Sequence, residues 1–580
     1  MLVLGLNLSH DRSACLIRDG EIVVAVEEER LDRMKHSEGF LVHGYFERLT
    51  KTLPMRSVTY CLDAAGVGID EVDLVVGNRP LHDGAVRRLL RELPIRDKSK
   101  VRELPPPSHH LAHAYCAYAT APFDDTAILV VDGIGSRLPG SDRLEKHSFF
   151  HGRDGRVTPV AATSYDADFG TVGLGLFYEF FTAKLGFVTR WGHPGFGVFG
   201  CGGYLEAGKT MGLAPYGRPR PDWGPLLEHE DDDVTVRVRT LEEAFTKWLA
   251  AEGEEFAAAG TDSWRTAFAR DVARKAQDEL EEAMVRLARR AKELTGASRL
   301  CLTGGVALNS VANQRIVAEG LFDEVHISPP AGDAGIAIGA AAYGYHELLG
   351  GTRRGRFTTA GVGRRYSEDD VLRALDDVRD RVRVRRAGTD EVARLIADRH
   401  VVGWFQGGSE IGPRALGHRS LLADPRHPAM RDYLNTVVKH REPFRPYAPS
   451  VLAEHAGAWF DLRGDSPYML LVPRVRPERR DLVPAITHVD GTARVQTVEA
   501  GVNPPFHALI RQFHALTGVP LLLNTSFNDA GEPIVETPAD ALRTFLRTEI
   551  DHLYLGGLLV DKPGRVLPVG HPATLEEDHA

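Results

Sequence analysis

The chain has 580 residues, and at roughly 100 to 200 residues per domain it divides into two large units or three to four smaller ones. With 43% hydrophobic and 26% charged residues it reads as a globular protein, and a formal charge of −10 argues against a nucleic-acid partner. The five cysteines are scattered and never in a CxxC spacing, which excludes a disulfide framework and a thiolate zinc site. No apolar run approaches the roughly 18 to 20 residues of a membrane span, and the first residues lack the basic region of a signal peptide, so a cytoplasmic protein without a membrane partner is expected.

Residues 2–6, 14–17 and 22–26 are apolar runs separated by turn residues such as Arg18-Asp19-Gly20, which predicts a β-meander. Its first turn carries polar side chains, among them His10 and Asp11. The run Ser108-His109-His110-Leu111-Ala112-His113 follows, and in a helix His109 and His113, four apart, project from one face toward a single metal ion. Residues 127–136 read as a buried strand ending in a Gly-rich turn with Gly133 and Gly135, an arrangement that brings backbone N–H groups close to a phosphate. A metal and a phosphate are thus expected to share one cleft. Gly195-Phe196-Gly197-Val198-Phe199-Gly200 matches GxGxxG but has neither a strand before it nor a helix after it, and reads as a loop.

Residues 264–294 carry an apolar stripe at helical spacing, with Asp262-Ser263 as expected N-terminal caps and Gly296 as the stop. A strand at 299–303 leads into the turn from Gly304 and Gly305 to Asn309, and Pro329 to Gly335 opens a small-residue helix at 336–345. This alternation is α/β, without internal repeat. A Gly/Arg run at 350–356 marks a domain junction, followed by a helix at 391–397 and a strand at 401–405. Arg414, His418, Arg419, Arg426, Lys439, Arg441 and Arg445 recur among Gly- and Pro-rich turns that fix side chains, and a later strand ends in Asn524, Ser526 and Asn528. Together they predict an anion or nucleotide pocket.

In this order, His10-Asp11-Arg12-Ser13, His109 to Ala114, Val131-Asp132-Gly133-Ile134-Gly135, Lys209 to Gly217, Gly304 to Asn309, Gly332-Asp333-Ala334-Gly335, Gly412 to Gly417, Phe444-Arg445-Pro446 and Leu523 to Asn528 resemble the motifs of the O-carbamoyltransferase family. That family is typified by nodulation, cephem and aminoglycoside carbamoylating enzymes. The resemblance implies an α/β N-terminal domain of actin-like ATPase fold at 1–350, similar to the universal tRNA threonylcarbamoyl-transfer protein. A linker at 351–385, a C-terminal α+β YrdC-like domain at 386–567 and a polar tail at 568–580 are expected to follow.

It also implies a chemistry. The C-terminal domain would convert carbamoyl phosphate and ATP, with Mg2+, to carbamoyl-adenylate, and the N-terminal domain would pass the carbamoyl group to a hydroxyl of a small-molecule acceptor, a natural product or sugar. The implied metal, iron(II) or another divalent ion, is held by His109, His113 and Asp333. Lys439 and Arg441 match a KxR element, and Ser526 with Asn528 an SxN element, of the YrdC pocket. Gly133, Gly135, Lys209, Gly304, Gly305, Asn309, Arg414, Arg445 and Asn524 complete the expected nucleotide and anion contacts. His10 and Asp11 are read as the acceptor-side base or its hydrogen-bond partners. Ser136, where the family commonly has Glu, and the His10 to Ser13 turn depart from the pattern, which leaves the acceptor open. The oligomeric state is open too, a homodimer included. The rival readings are a threonylcarbamoyl transferase acting on tRNA and an actin-like-fold kinase; a kinase releases ADP, carbamoyl-adenylate chemistry AMP and pyrophosphate.

Overall fold

A computed structural model describes residues 1–37, 40–43, 48–51, 53–78, 89, 91–190, 203–230, 233–353, 357–568 and 570–574. The chain forms two units, Met1–Glu28 with Glu38–Phe357, and Glu29–Ser37 with Thr358–Ala580.

In the first unit the expected meander forms: Leu2–Asn7 pairs antiparallel with Ser13–Arg18, which pairs antiparallel with Glu21–Glu27. Leu74–Gly77 and Val101–Glu103 extend this sheet in parallel on the other side of Leu2–Asn7. A second five-stranded sheet repeats the plan. Asp125–Val131 pairs antiparallel with Arg143–Arg153 and that strand with Arg156–Asp166, while Arg299–Thr303 and Glu324–Ile327 add in parallel. Each fifth strand is followed by a helix, His109–Thr120 in one case and Ile336–Tyr343 in the other. Strand order and direction are the same in both sheets, so the unit is an internal duplication of α/β layers, as the actin-like ATPase fold requires. The expectation of no internal repeat is therefore corrected. The repeat lies in topology, and generic apolar strands carry no sequence trace of it.

The long helix runs Ala267–Thr295 and ends at Gly296, whose φ of 65° is the left-handed stop expected. Its N-cap is Thr266, whose hydroxyl accepts from Ala269 N; the Asp262-Ser263 pair lies in a 3-10 turn, Gly260–Arg265, just before it. Ile336–Tyr343 is made of small apolar residues because another backbone approaches it. A Cβ on Gly339 would lie 1.8 Å from the carbonyl oxygen of Ala112, in the middle of the His109–Thr120 helix. Gly339→Ala must push the two helices apart, and is expected to destabilise the protein by about 3 kcal/mol, read as a lowered urea midpoint.

The second unit is built on an eight-stranded mixed sheet. Its order is Arg383–Arg386, Leu558–Asp561, His552–Leu555, Val402–Phe405, Arg419–Ala423, Leu521–Ser526, Ala448–Leu452 and Gln496–Val498. Trp404, stacked on Tyr554 at 4.8 Å, packs with Phe506, Phe513 and Phe527 at the centre of its core. The 351–385 stretch, expected as a linker, contains the capped helix Glu368–Asp376, whose Val371 and Leu375 are buried in that core. No described helix is long and apolar enough to cross a membrane.

Candidate active site

The His109–Thr120 helix places both expected imidazoles inward. His109 and His113 meet Asp333 and a fourth group, Asp132, with one donor atom of each within 4.8 Å of all the others, and all four residues are buried. His109 Nε2 lies 2.7 Å from Asp132 Oδ2 and 3.6 Å from Asp333 Oδ1; His113 Nε2 lies 3.7 Å and 3.4 Å from the same atoms. Asp132 ends the Asp125–Val131 strand, and its other oxygen accepts from Gly305 N at 2.6 Å. That bond assigns Gly305 a role on a carboxylate.

The charges in this pocket fit a cation. Burial alone would lower the His113 imidazole, but Asp132 and Asp333 outweigh it and push it up to about 9. Burial would likewise raise Asp132, yet His109 and His113 hold it well below the carboxylate range. Neither ring nitrogen of His113 makes a hydrogen bond of good geometry, although the side chain is fully buried. Two imidazoles and two carboxylates at this spacing are a donor set for a divalent transition ion, and the residues present fit one.

The turn after Leu2–Asn7 forms the rim. Asn7 Nδ2 donates to the carbonyls of His10, Asp11 and Asp333, and Ser9 Oγ donates to Asp333 Oδ2 at 2.7 Å. His10 stands half-exposed, with Nε2 3.3 Å from Asp333 Oδ2 and Nδ1 3.0 Å from Asp11 Oδ2. Glu179, on the Leu174–Lys184 helix, is pushed up to about 7 by burial, and the fields of His10 and Asp132 reach it. Ser136 serves the helix that carries His109 and His113: its Oγ accepts from the backbone N–H groups of Ser108 and His109 at 3.2 and 3.0 Å. His110 faces away and bonds Ser148 Oγ at 2.7 Å.

Of the nucleotide contacts expected here, Gly133, Gly304 and Gly305 surround Asp132: a Cβ on Gly304 would sit 2.2 Å from the Val131 carbonyl oxygen, and one on Gly305 2.8 Å from Asp132 Oδ1. Gly135 packs against Glu145 and His110. Asn309 caps the Ser310–Glu319 helix and exchanges hydrogen bonds with Gln277, while Lys209 pairs with Glu206. The GxGxxG loop at 195–200 lies outside the described residues.

The second unit brings the basic residues together selectively. Lys439 Nζ donates to Ser526 O and Asn528 O and to Asn528 Oδ1 at 2.6 Å, joining the KxR and SxN elements. Burial, then Arg441 and Arg445, hold this amine well below its ordinary range. Arg441 bonds Asn435 Oδ1 at 2.8 Å and lies over the Tyr447 ring, and its Nη2 has no partner. Arg414 is lowered to about 10 by burial and by Arg445. Arg494 is lowered well below its ordinary value by burial and then by Arg414, Arg441 and Arg445. Arg494 stands alone in its segment and escapes sequence reading; the chain offers no local signal for it. Arg419 and Arg426 are structural, the first bonded to the carbonyls of Gln406, Gly407 and His418, the second paired with Asp424. Asn524 turns to Ala415 O and Ser450 Oγ, away from Lys439. The Arg414 Nε, Arg441 Nη2 and Arg494 Nε donors, buried and without a hydrogen-bond partner, together with Arg445, whose Nη1 lies 3.7 Å from Glu442 Oε2, make a cradle for an anion.

Residues 85–342 match the family described as carbamoyltransferase N-terminus, and residues 393–562 the family described as carbamoyltransferase C-terminus. The chain is 36% identical to uncharacterized protein sll1178 of Synechocystis, the alignment covering 95% of each. It is 35% identical to nodulation protein NolNO of Sinorhizobium fredii, over 95% of this chain and 79% of that one. It is 29% identical to the 3'-hydroxymethylcephem-O-carbamoyltransferase of Amycolatopsis lactamdurans, over 93% of this chain and 95% of that one.

Proposed function

The chain belongs to the carbamoyltransferase family, and from that membership we propose an ATP-dependent O-carbamoyltransferase that makes carbamoyl-adenylate in its second unit and transfers the carbamoyl group to a small-molecule hydroxyl in its first. The observation that carries this reading is the set of unpartnered buried donors on Arg414, Arg441 and Arg494, whose charges, with that of Arg445, act on one another and on Lys439, because such neighbouring cations are stabilised by a multiply charged anion. Carbamoyl phosphate is such an anion. The guanidinium groups neutralise its phosphoryl oxygens while water releases carbamate and inorganic phosphate; the carbamate oxygen then attacks the α-phosphorus of ATP and expels pyrophosphate, and Lys439, fixed by Ser526 and Asn528, adds its positive field to the pocket.

In the first unit, His109, His113, Asp132 and Asp333 would hold a divalent ion, iron(II) or another, which supplies a Lewis acid for the carbamoyl carbonyl or the acceptor hydroxyl. His10, oriented through Nδ1 by Asp11, takes the proton of the acceptor hydroxyl at Nε2. Glu179 offers a second carboxyl to the acceptor's hydroxyl groups. The test is the product set. Incubated with carbamoyl phosphate, Mg-ATP and a panel of alcohols and sugars, the protein is expected to release AMP, pyrophosphate and inorganic phosphate in step with the carbamoylated alcohol. Release of ADP instead overturns the reading in favour of a kinase.

A further inference from the structure

The second unit is not one stretch of chain: the segment Glu29–Ser37 belongs to it, although both flanking stretches belong to the first. This segment is short and basic, and its side chains reach the two loops that carry the anion cradle. Arg30 is 1% exposed and its Nη2 donates to Gly412 O at 2.7 Å. Gly412, with φ of 102°, opens the turn that delivers Arg414 two residues later. The same loop is folded around the Glu410 carboxylate, whose Oε1 accepts from the N–H groups of Leu416, His418 and Arg419 at 2.7, 2.9 and 3.1 Å. Arg30 is the cation whose field, after that of His418, acts on Glu410.

Arg33 reaches the other loop. Its Nη1 donates to Ile534 O and its Nη2 to Pro533 O, both at 2.8 Å. That loop follows Ser526 and Asn528, and is closed on them by Asn528 Nδ2 donating to Glu532 O. The Lys35 ammonium adds to the positive field on Lys439. A buried guanidinium bonded to a backbone carbonyl at the root of one cradle loop, with a neighbour bonded to two carbonyls at the root of the other, fixes where the cradle's own cations stand.

We propose that Glu29–Ser37 is an integral part of the anion cradle of the second unit, with Arg30 as the positioning residue that sets the Gly412–Arg414 turn for a phosphoryl group. The proposal rests on the reading of this cradle as the carbamoyl phosphate site. Its chemical content is independent of the acceptor: the ligand class is a phosphate monoester or acyl phosphate dianion.

The test uses the full chain. Inorganic phosphate binding by titration calorimetry, and the KM values of carbamoyl phosphate and ATP in carbamoyl phosphate-dependent ATP–pyrophosphate exchange, are compared for wild type, Arg30→Ala, Arg30→Lys and Arg30→Gln. Arg30→Ala is expected to weaken phosphate and raise the carbamoyl phosphate KM about tenfold, leaving the ATP KM within about twofold, since one charge-assisted anchor is lost at the phosphoryl end only. Arg30→Lys, which keeps a charged donor for Gly412 O, is expected to recover most of that loss. Phosphate affinity in Arg30→Ala within about twofold of wild type, or equal weakening of ATP and carbamoyl phosphate, overturns the proposal. If Arg30→Ala does not fold, Arg30→Gln decides, and wild-type phosphate affinity in that variant overturns it. Absence of exchange in the wild type sinks the carbamoyl-adenylate reading alone, because the phosphate titration still decides the role of Arg30. A wild type that binds no phosphate overturns both.

Discussion

His109→Ala is expected to strip the metal from the first unit and to abolish carbamoyl transfer, while acceptor-free pyrophosphate exchange continues at the wild-type rate. His109 Nε2 is 2.7 Å from one carboxylate of the quartet and 3.6 Å from the other, so its loss removes a donor from a site that has four. Loss of a metal-ligating group costs more than the 10- to 100-fold typical of residues that merely orient one, and product formation is expected to fall by about a thousandfold or more. Asp132→Asn gives the same outcome. Metal stoichiometry by mass spectrometry provides the readout beside activity: an unchanged metal content in either variant would refute the assignment.

The second large effect falls on the other half-reaction. Arg441→Ala and Arg494→Ala each remove one charge-assisted contact worth about 1.5 to 3 kcal/mol to the bound dianion, and should slow pyrophosphate exchange roughly tenfold to a hundredfold. The sign of the stability change separates this role from a structural one. Arg441, Arg445 and Arg494 press on one another's charge, so removing one relieves repulsion in the ligand-free protein. Arg494→Ala is expected to unfold at a temperature equal to or above that of the wild type without ligand; Arg441→Ala also loses its bond to Asn435 and its contact with Tyr447, and both variants are expected to gain less from added phosphate. Exchange at the wild-type rate in either variant, or a ligand-free Arg494→Ala protein that melts earlier, would contradict the cradle.

What the sequence disclosed and what it withheld follow from the range of the forces involved. The i, i+4 spacing of His109 and His113 is a local signal, and a helix converts it into one face whatever surrounds it. The end of the meander and the Gly296 stop are local for the same reason. Asp132 was in view as part of a Gly-rich turn, but its carboxylate joins the candidate quartet only because Gly305, 173 residues away, and His109 converge on it. The turn read as a phosphate cradle presents that carboxylate. Arg494 has no basic neighbour in the chain and joins Arg414 and Arg441 only through the sheet. Arg30 is the extreme case, since its partner carbonyl lies 382 residues on. The N-cap of the long helix moved from Asp262-Ser263 to Thr266 because a 3-10 turn intervenes, which composition cannot foresee.

The two like sheets divide the candidate quartet between them. Asp132 and the Asn7 to His10 turn occupy equivalent places, each just beyond the first strand of its sheet, and His109 and Asp333 are equivalent again, each at the start of the helix that follows a fifth strand. Leu8 N donates to Asn78 Oδ1 across the ends of the first and fourth strands in one copy, and Gly305 N to Asp132 Oδ1 across the same ends in the other. The donors are divided between the two copies: one supplies imidazoles from its helix, the other carboxylates at its strand end and helix start. Neither half holds a complete coordination set. The candidate cation site is therefore complete only where both sheets have folded and met, so the quartet reads out the assembly of two layers at once.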